Sequence, residues 1–261
     1  MNNWLTLILG GLFSGILAGF LGIGGGTILV PLLIALGYTP VQAVATSSLA
    51  IVITAISGSI QNWRMGYFRV QRVLLLGYPA IITSQIGVYL ANLTKQSQTG
   101  ETILLIAFGL LLWLNIYLVE LRKRLTQDAT HPSEQQLNPT LARILTGGSA
   151  GLLAGLFGVG GGVIMVPLQM LLLAEPIKVA IQTSLGVIVV TAIAATIGHA
   201  SRGNILLVEG LVLGIGGLIG AQISTRFLPK LPDKVVSIAF RSLLAILSVY
   251  VFWQAVGKFW K

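Results

Sequence analysis

Residues 16–31 read ILAGFLGIGGGTILVP, and residues 152–167 read LLAGLFGVGGGVIMVP. Each stretch sets three consecutive glycines inside an apolar segment and closes on a proline. Glycine costs about 1 kcal/mol relative to alanine in a helix interior, so a triple glycine breaks the helix. Broken backbone cannot face lipid, because its unpaired N–H and C=O groups find no partner there. It must face protein or a watery cavity. A single run of this kind reads as small-residue helix packing. Two runs at matched positions read as one device used twice.

The rest of the chain supplies the bilayer that this argument needs. Of its 261 residues 55% are hydrophobic and 9% charged, and the mean hydropathy is +0.90. Soluble domains carry about 25% charged residues. Several apolar runs approach the roughly 20 residues that span a hydrocarbon core as a helix, and the period-2 alternation of a membrane barrel is absent. The fold class is therefore an all-α polytopic membrane protein. The net charge of +9 fits basic loops on the cytoplasmic side better than nucleic-acid binding. The chain has no cysteine, which excludes disulfides and thiolate metal sites. Its first residues, MNNWLTLILGG, lack a basic leader and are expected to be a retained membrane segment.

Apolar segments fall at about 4–22, 27–37, 41–60, 72–92 and 101–119, and again at about 141–158, 163–174, 177–198, 207–228 and 235–256. Between them lies ELRKRLTQDATHPSEQQLNP, residues 120–139. The predicted organisation is a first repeat over 1–119, a polar cytoplasmic linker over 120–140 and a second repeat over 141–261. An offset of 136 carries Gly19 to Gly155, Gly22 to Gly158, Gly24, Gly25 and Gly26 to Gly160, Gly161 and Gly162, and Pro31 to Pro167. Read onward, it carries Pro40 to Pro176 and Ser48 to Ser184. From Asn62 and His199 the offset is 137, and it carries Gly66 to Gly203 and Gln85 to Gln222.

Counting basic residues in loops does not decide between parallel and inverted halves. Segment length favours inversion. The 27–37 segment is about 16 Å long as a helix, half a bilayer core, so it cannot cross alone. Each half is then a glycine-broken hairpin plus three crossing helices. Pro31 and Pro167 are expected near the start of each short helix, where proline costs little.

A helix that begins after a glycine break offers free N–H donors and a partial positive charge, which suits an anion. The candidate substrate-binding residues are Gly24, Gly25, Gly26 and Thr27 with Ser47 and Ser48. Their counterparts are Gly160, Gly161, Gly162 and Val163 with Thr183 and Ser184. Gln182 stands opposite Thr46 in this alignment, so the half-sites are expected to differ there. The competing reading for each hydroxyl is a bond to the carbonyl one turn back. Asn62, His199, Gln85 and Gln222 are candidates for a gating or proton role. Against it stand an interfacial, solvated His199 beside Arg202 and glutamines that join helices. Arg241 is expected to snorkel or to attract an anion.

None of the seven acidic residues stands clearly at mid-membrane, which speaks against a carboxylate-based pump or divalent-cation carrier. No nucleotide motif or catalytic set appears. The expectation is a transporter that is not an enzyme, with no metal and no cofactor. Its partners are a small anion and the lipid bilayer, with homo-oligomer formation left open.

AGFLGIGGGTILVPLL and AGLFGVGGGVIMVPLQ, with the TSSL and TSLG that follow them, resemble the TauE/SafE-type sulfite exporter family over nearly the whole chain. The resemblance implies a multi-pass inner-membrane transporter of sulfur-containing anions such as sulfite or organosulfonates, often exporting them. Rival readings are a passive anion channel and a membrane scaffold subunit.

Overall fold

The structure is a computed structural model and describes residues 4–95, 98–127 and 138–259. Among the described residues ten α-helices follow one another: α1 (Trp4–Leu21), α2 (Gly26–Ala35), α3 (Pro40–Arg64), α4 (Val70–Thr94), α5 (Gln98–Gln127), α6 (Pro139–Phe157), α7 (Gly162–Leu172), α8 (Ile177–Ala200), α9 (Leu207–Phe227) and α10 (Asp233–Phe259). Eight of them are long and apolar enough to cross a membrane, and α2 and α7 are the two short ones. The chain is thus all-helical and multi-pass. The linker expected over 120–140 is entered by α5, which runs on to Gln127. Residues 128–137 of that linker lie outside the described residues.

Small residues set how the helices pack. Gly11, Gly15 and Gly19 of α1 lie against Leu213, Gly217 and the Ser224–Thr225 pair of α9. Gly147, Gly151 and Gly155 of α6 lie against the carbonyls of Leu76, Ala80 and Ser84 on α4. A glycine every four residues makes a flat seam along one helix face, so the backbones approach closely. Contacting residues rise together in both pairs, so α1 runs parallel to α9 and α6 parallel to α4. Ser57 donates to Leu218 O at 2.8 Å, and Gly214 meets Ile53, so α3 is parallel to α9 as well.

The short helices turn back. Leu32 of α2 packs on Gly10 of α1, so α1 and α2 form a hairpin that leaves and returns at one end of the bundle. The hairpin of α6 and α7 starts at the opposite end, since Gly147 in α6 meets Leu76 near the start of α4, and Arg72 in the first turn of α4 pairs with Glu175 after α7. That end also gathers Arg64, Arg69, Arg72, Lys178, Arg226, Lys230 and Lys234. The ends of α4, α8 and α10 bring Lys95, Arg202 and Lys258 to the other end. Among the described residues no Lys, Arg, Asp or Glu is in the buried set.

Pro31 and Pro167 lie inside α2 and α7 and not at their first turns. The helices begin earlier than the prolines suggested, because the left-handed glycines before them already act as N-caps. Helix α3 starts with a capping box, in which Gln42 N donates to Thr39 Oγ1 at 3.3 Å and Thr39 N to Gln42 Oε1 at 3.3 Å. This arrangement satisfies two of the free groups at the helix start. The N-cap of α8 is Pro176. Thr39 and Pro176 are therefore equivalent, and the offset is 137 from here on. Pro40 does not match Pro176, and Ser48 does not match Ser184. The extra residue belongs to the loop after α7, where length is free to vary.

Candidate functional site

The two glycine breaks have nearly superposable backbones. Gly22, Gly24 and Gly25 have φ of 66, 77 and 83°, and Gly158, Gly160 and Gly161 have 64, 74 and 81°. These left-handed values are available to glycine and strained for other residues. Gly25 and Gly161 are the N-caps of α2 and α7. The breaks cross each other. Gly26 lies against the Gly158 carbonyl and Val159, and Gly162 against the Gly22 carbonyl and Ile23. Gly24 and Gly160 both rest on Ile188, and Ile51 touches Gly26 and Gly160. Neither break faces outward, and the residues from Gly22 to Thr27 and from Gly158 to Val163 are buried.

Hydroxyls tie the crossing together. Ser47 Oγ donates to Gly158 O at 2.9 Å, and Ser184 Oγ to Gly22 O at 2.8 Å. Ser47 and Ser184 are related by 137, so each long central helix holds the other half's break. Along α3, Ser47 stands by Gly158 and Ile51 by Gly160. Along α8, Ser184 stands by Gly22 and Ile188 by Gly24. Since Gly22 is at one end of the crossing and Gly158 at the other, α3 and α8 run antiparallel.

Several expected roles change. The Ser47 and Ser184 hydrogens are committed to carbonyls, because each break leaves a carbonyl that a neighbouring hydroxyl can satisfy. Ser48 donates to Val44 O at 2.9 Å, one turn back on its own helix, and does not reach the crossing. With the offset corrected, Thr46 matches Thr183 and not Gln182. Leu206 N donates to Thr46 Oγ1 at 3.1 Å. Thr183 and Gln182 are buried, at 7% and 6% exposure. Thr27 Oγ1 is fully buried and has no hydrogen-bond partner. Val163 holds the equivalent position at the start of α7 and has no hydroxyl.

His199 is not an interfacial, solvated residue. It is fully buried, and its Nε2 lies 3.1 Å from Gly155 O, while Nδ1 is unpartnered. The close α4–α6 seam closes over it. Asn62, in the same place in the first half, is fully buried with both amide atoms unpaired. The glutamines join helices: Gln85 Nε2 donates to Ala194 O at 2.6 Å, and Gln222 Nε2 to Ser57 O at 3.1 Å. Arg241 neither snorkels freely nor faces the crossing, since it pairs with Glu120 at 2.7 Å.

Sequence reasoning missed three groups. Ser14 Oγ donates to Gly25 O at 3.0 Å and steadies the first N-cap. Thr191 Oγ1 donates to Gly160 O at 3.1 Å. At the ends of the bundle, Arg72 Nη1 meets Glu175 Oε2 at 3.0 Å, and Tyr38 Oη donates to Glu209 Oε1 at 3.4 Å. Partial burial, followed by the Glu209 carboxylate, raises the Tyr38 phenol above its ordinary value of 10. Its proton therefore stays in place at neutral pH. An aligned register shows that Tyr38 corresponds to Glu175 and Arg72 to Glu209, but not that these residues meet.

Eight candidate membrane helices around two crossed and buried helix breaks define a polytopic membrane protein. Residues 7–251 match the family described as Sulfite exporter TauE/SafE, and the chain belongs to that family. The probable membrane transporter protein YunE of Bacillus subtilis (strain 168) is 25% identical over 97% of this chain and 99% of its own length. YjnA of the same organism, also a probable membrane transporter protein, is 31% identical over 87% of this chain and 92% of its own. A further probable membrane transporter protein, from Methanocaldococcus jannaschii, is 25% identical over 94% of both chains. The protein is thus a membrane transporter of this family, and it is not an enzyme.

Proposed function

We propose that the protein is a secondary transporter that exports a small sulfur-containing anion, sulfite or an organosulfonate, by alternating access between two inverted halves. The observation that carries this reading is the crossing itself. The N-termini of α2 and α7 meet in the buried centre, and among the described residues no carboxylate is buried with them to repel an anion. Each start leaves N–H groups without intrahelical acceptors and contributes a partial positive charge. The N–H groups of Gly24 to Thr27 and Gly160 to Val163 hold the anion, with the unpartnered Thr27 hydroxyl as an added donor. Ser47 and Ser184 hold the breaks in shape. The contacts are closed around the glycines, so entry requires one half to move against the other.

Antiparallel α3 and α8 and the two opposed hairpins support inversion of the halves. The crowding of basic residues at one end supports a cytoplasmic side for that end. The sulfur anion comes from the family's description. A passive channel would use the same lining, and a scaffold would need no solute.

The test is flux in proteoliposomes of purified protein. Sulfite, sulfate and a short sulfonate are offered on one side, and saturation and counterflow are measured. Saturable flux with counterflow of sulfite or the sulfonate supports the carrier. Flux without counterflow replaces it with a channel, and no flux or thermal stabilisation with any of the three overturns it.

A further inference from the structure

We infer that Arg72–Glu175 and Tyr38–Glu209 are matched latches, one closing the path at each end of the molecule. The inference rests on the inverted alternating-access reading above. Adding 137 to Tyr38 gives Glu175, and adding 137 to Arg72 gives Glu209. The two contacts are therefore the same contact made twice with the halves exchanged. Each joins the loop after one half's short helix to the first turn of the other half's fourth helix. Glu175 follows α7 and meets Arg72 on α4 at 3.0 Å. Tyr38 follows α2 and meets Glu209 on α9 at 3.4 Å.

Position makes these contacts gates. Each short helix begins at the glycine crossing and ends at the loop that carries the latch. A latch thus fixes the outer end of the very helix whose inner end borders the proposed anion site. Releasing Glu175 frees α7 at the basic end, and releasing Tyr38 frees α2 at the other. All four side chains are half-buried, so each bond is reachable by water yet shielded from full screening. The chemistry differs between the ends. Both contacts have an ionised acceptor, but the guanidinium–carboxylate pair carries two opposite charges at 3.0 Å, whereas the phenol carries no charge and stands at 3.4 Å, a stretched contact. The end with Tyr38 therefore opens more readily from the state seen here.

The chain has no cysteine, which permits a test without any solute. Single reporters are placed at equivalent buried positions in the second turn of each central helix, the turn next to the loop that carries each latch, Gln182→Cys on α8 and Ala45→Cys on α3. Their labelling by a water-soluble maleimide is timed in reconstituted full-length protein. Glu175→Gln should speed labelling at position 182 by up to about fivefold, the range of a partly exposed ion pair, and leave position 45 unchanged. Tyr38→Phe should do the reverse, with a smaller factor. The exchange Arg72→Glu with Glu175→Arg should restore slow labelling, which separates latch loss from misfolding. Equal acceleration at both reporters, or none at either in protein that remains monodisperse, overturns the inference. Because no substrate is used, lack of flux would sink the transport reading and leave this result standing by itself.

Discussion

The two glycine breaks share a backbone and differ in chemistry. Their φ angles agree within 3° at each of the three left-handed positions. The first break has Ser14 bonded to its N-cap carbonyl and Thr27 at the start of its helix. The second has Ala150 beside Gly161 and Val163 at the helix start. The difference teaches that glycine placement alone fixes the shape of the crossing. Polarity is then added differently on the two sides, Ser14 and the unpartnered Thr27 hydroxyl at the first break and Thr191 at the second. If an anion sits at the crossing, it is held asymmetrically, with the extra donor on the α2 side.

The shared part is tested by filling the crossing. A Cβ on Gly26 would meet the Gly158 carbonyl, and one on Gly162 the Gly22 carbonyl, and neither backbone can step aside cheaply. Gly26→Ala and Gly162→Ala should each destabilise the protein by about 3 kcal/mol or more. The two should give similar drops in thermal unfolding midpoint in detergent. A large drop for one alone would break the symmetry of the crossing.

Next in size come the staples. Ser47→Ala and Ser184→Ala each leave a buried break carbonyl unpaired, at about 1–3 kcal/mol. Their unfolding midpoints should again fall together. Ser48→Ala, which removes only a bond to its own helix, should change little in the same measurement.

The asymmetric part is read in binding. Thr27→Val removes the unpartnered hydroxyl, so stability should hold or rise. Sulfite affinity measured by thermal shift or tracer binding should fall by about tenfold, the value of one hydrogen bond to a charge. Val163→Cys or Val163→Ala should leave affinity near its starting value. Equal losses on the two sides would show that polarity at the crossing does not matter. An effect of backbone strain alone, apart from the crossing, is expected at Gly37. Its φ is 93° but a Cβ there meets nothing. Gly37→Ala should therefore cost only about 1–2 kcal/mol of backbone strain, with affinity unchanged.

Much of this was legible in the chain. Composition gave the bilayer, the triple glycines gave the breaks, and the length of the 27–37 segment gave the hairpins. The glutamine bonds between helices followed from amides standing alone in apolar helices. The errors were local. Pro31 was misplaced because a left-handed glycine, and not the proline, sets where α2 begins. Ser48 was paired with Ser184 because one extra residue in a loop leaves no mark on hydropathy. His199 was put at the surface because its neighbour Arg202 is solvated, while a helix end can bury one side chain and expose another three residues on.

What the sequence determined by itself is the class of element at each point, since that depends on local chemistry: apolar length for spans, missing Cβ atoms for breaks, paired Thr39 and Gln42 for a helix start. Only the tertiary structure decided which groups meet. The crossing of GIGGG with GVGGG, the exchange of Ser47 and Ser184 between halves, and the Arg72–Glu175 and Tyr38–Glu209 contacts all join residues more than a hundred positions apart. Such contacts arise because glycine seams along α1 and α9, and along α6 and α4, bring distant backbones together. Hydropathy along the chain carries no record of which seam will close on which.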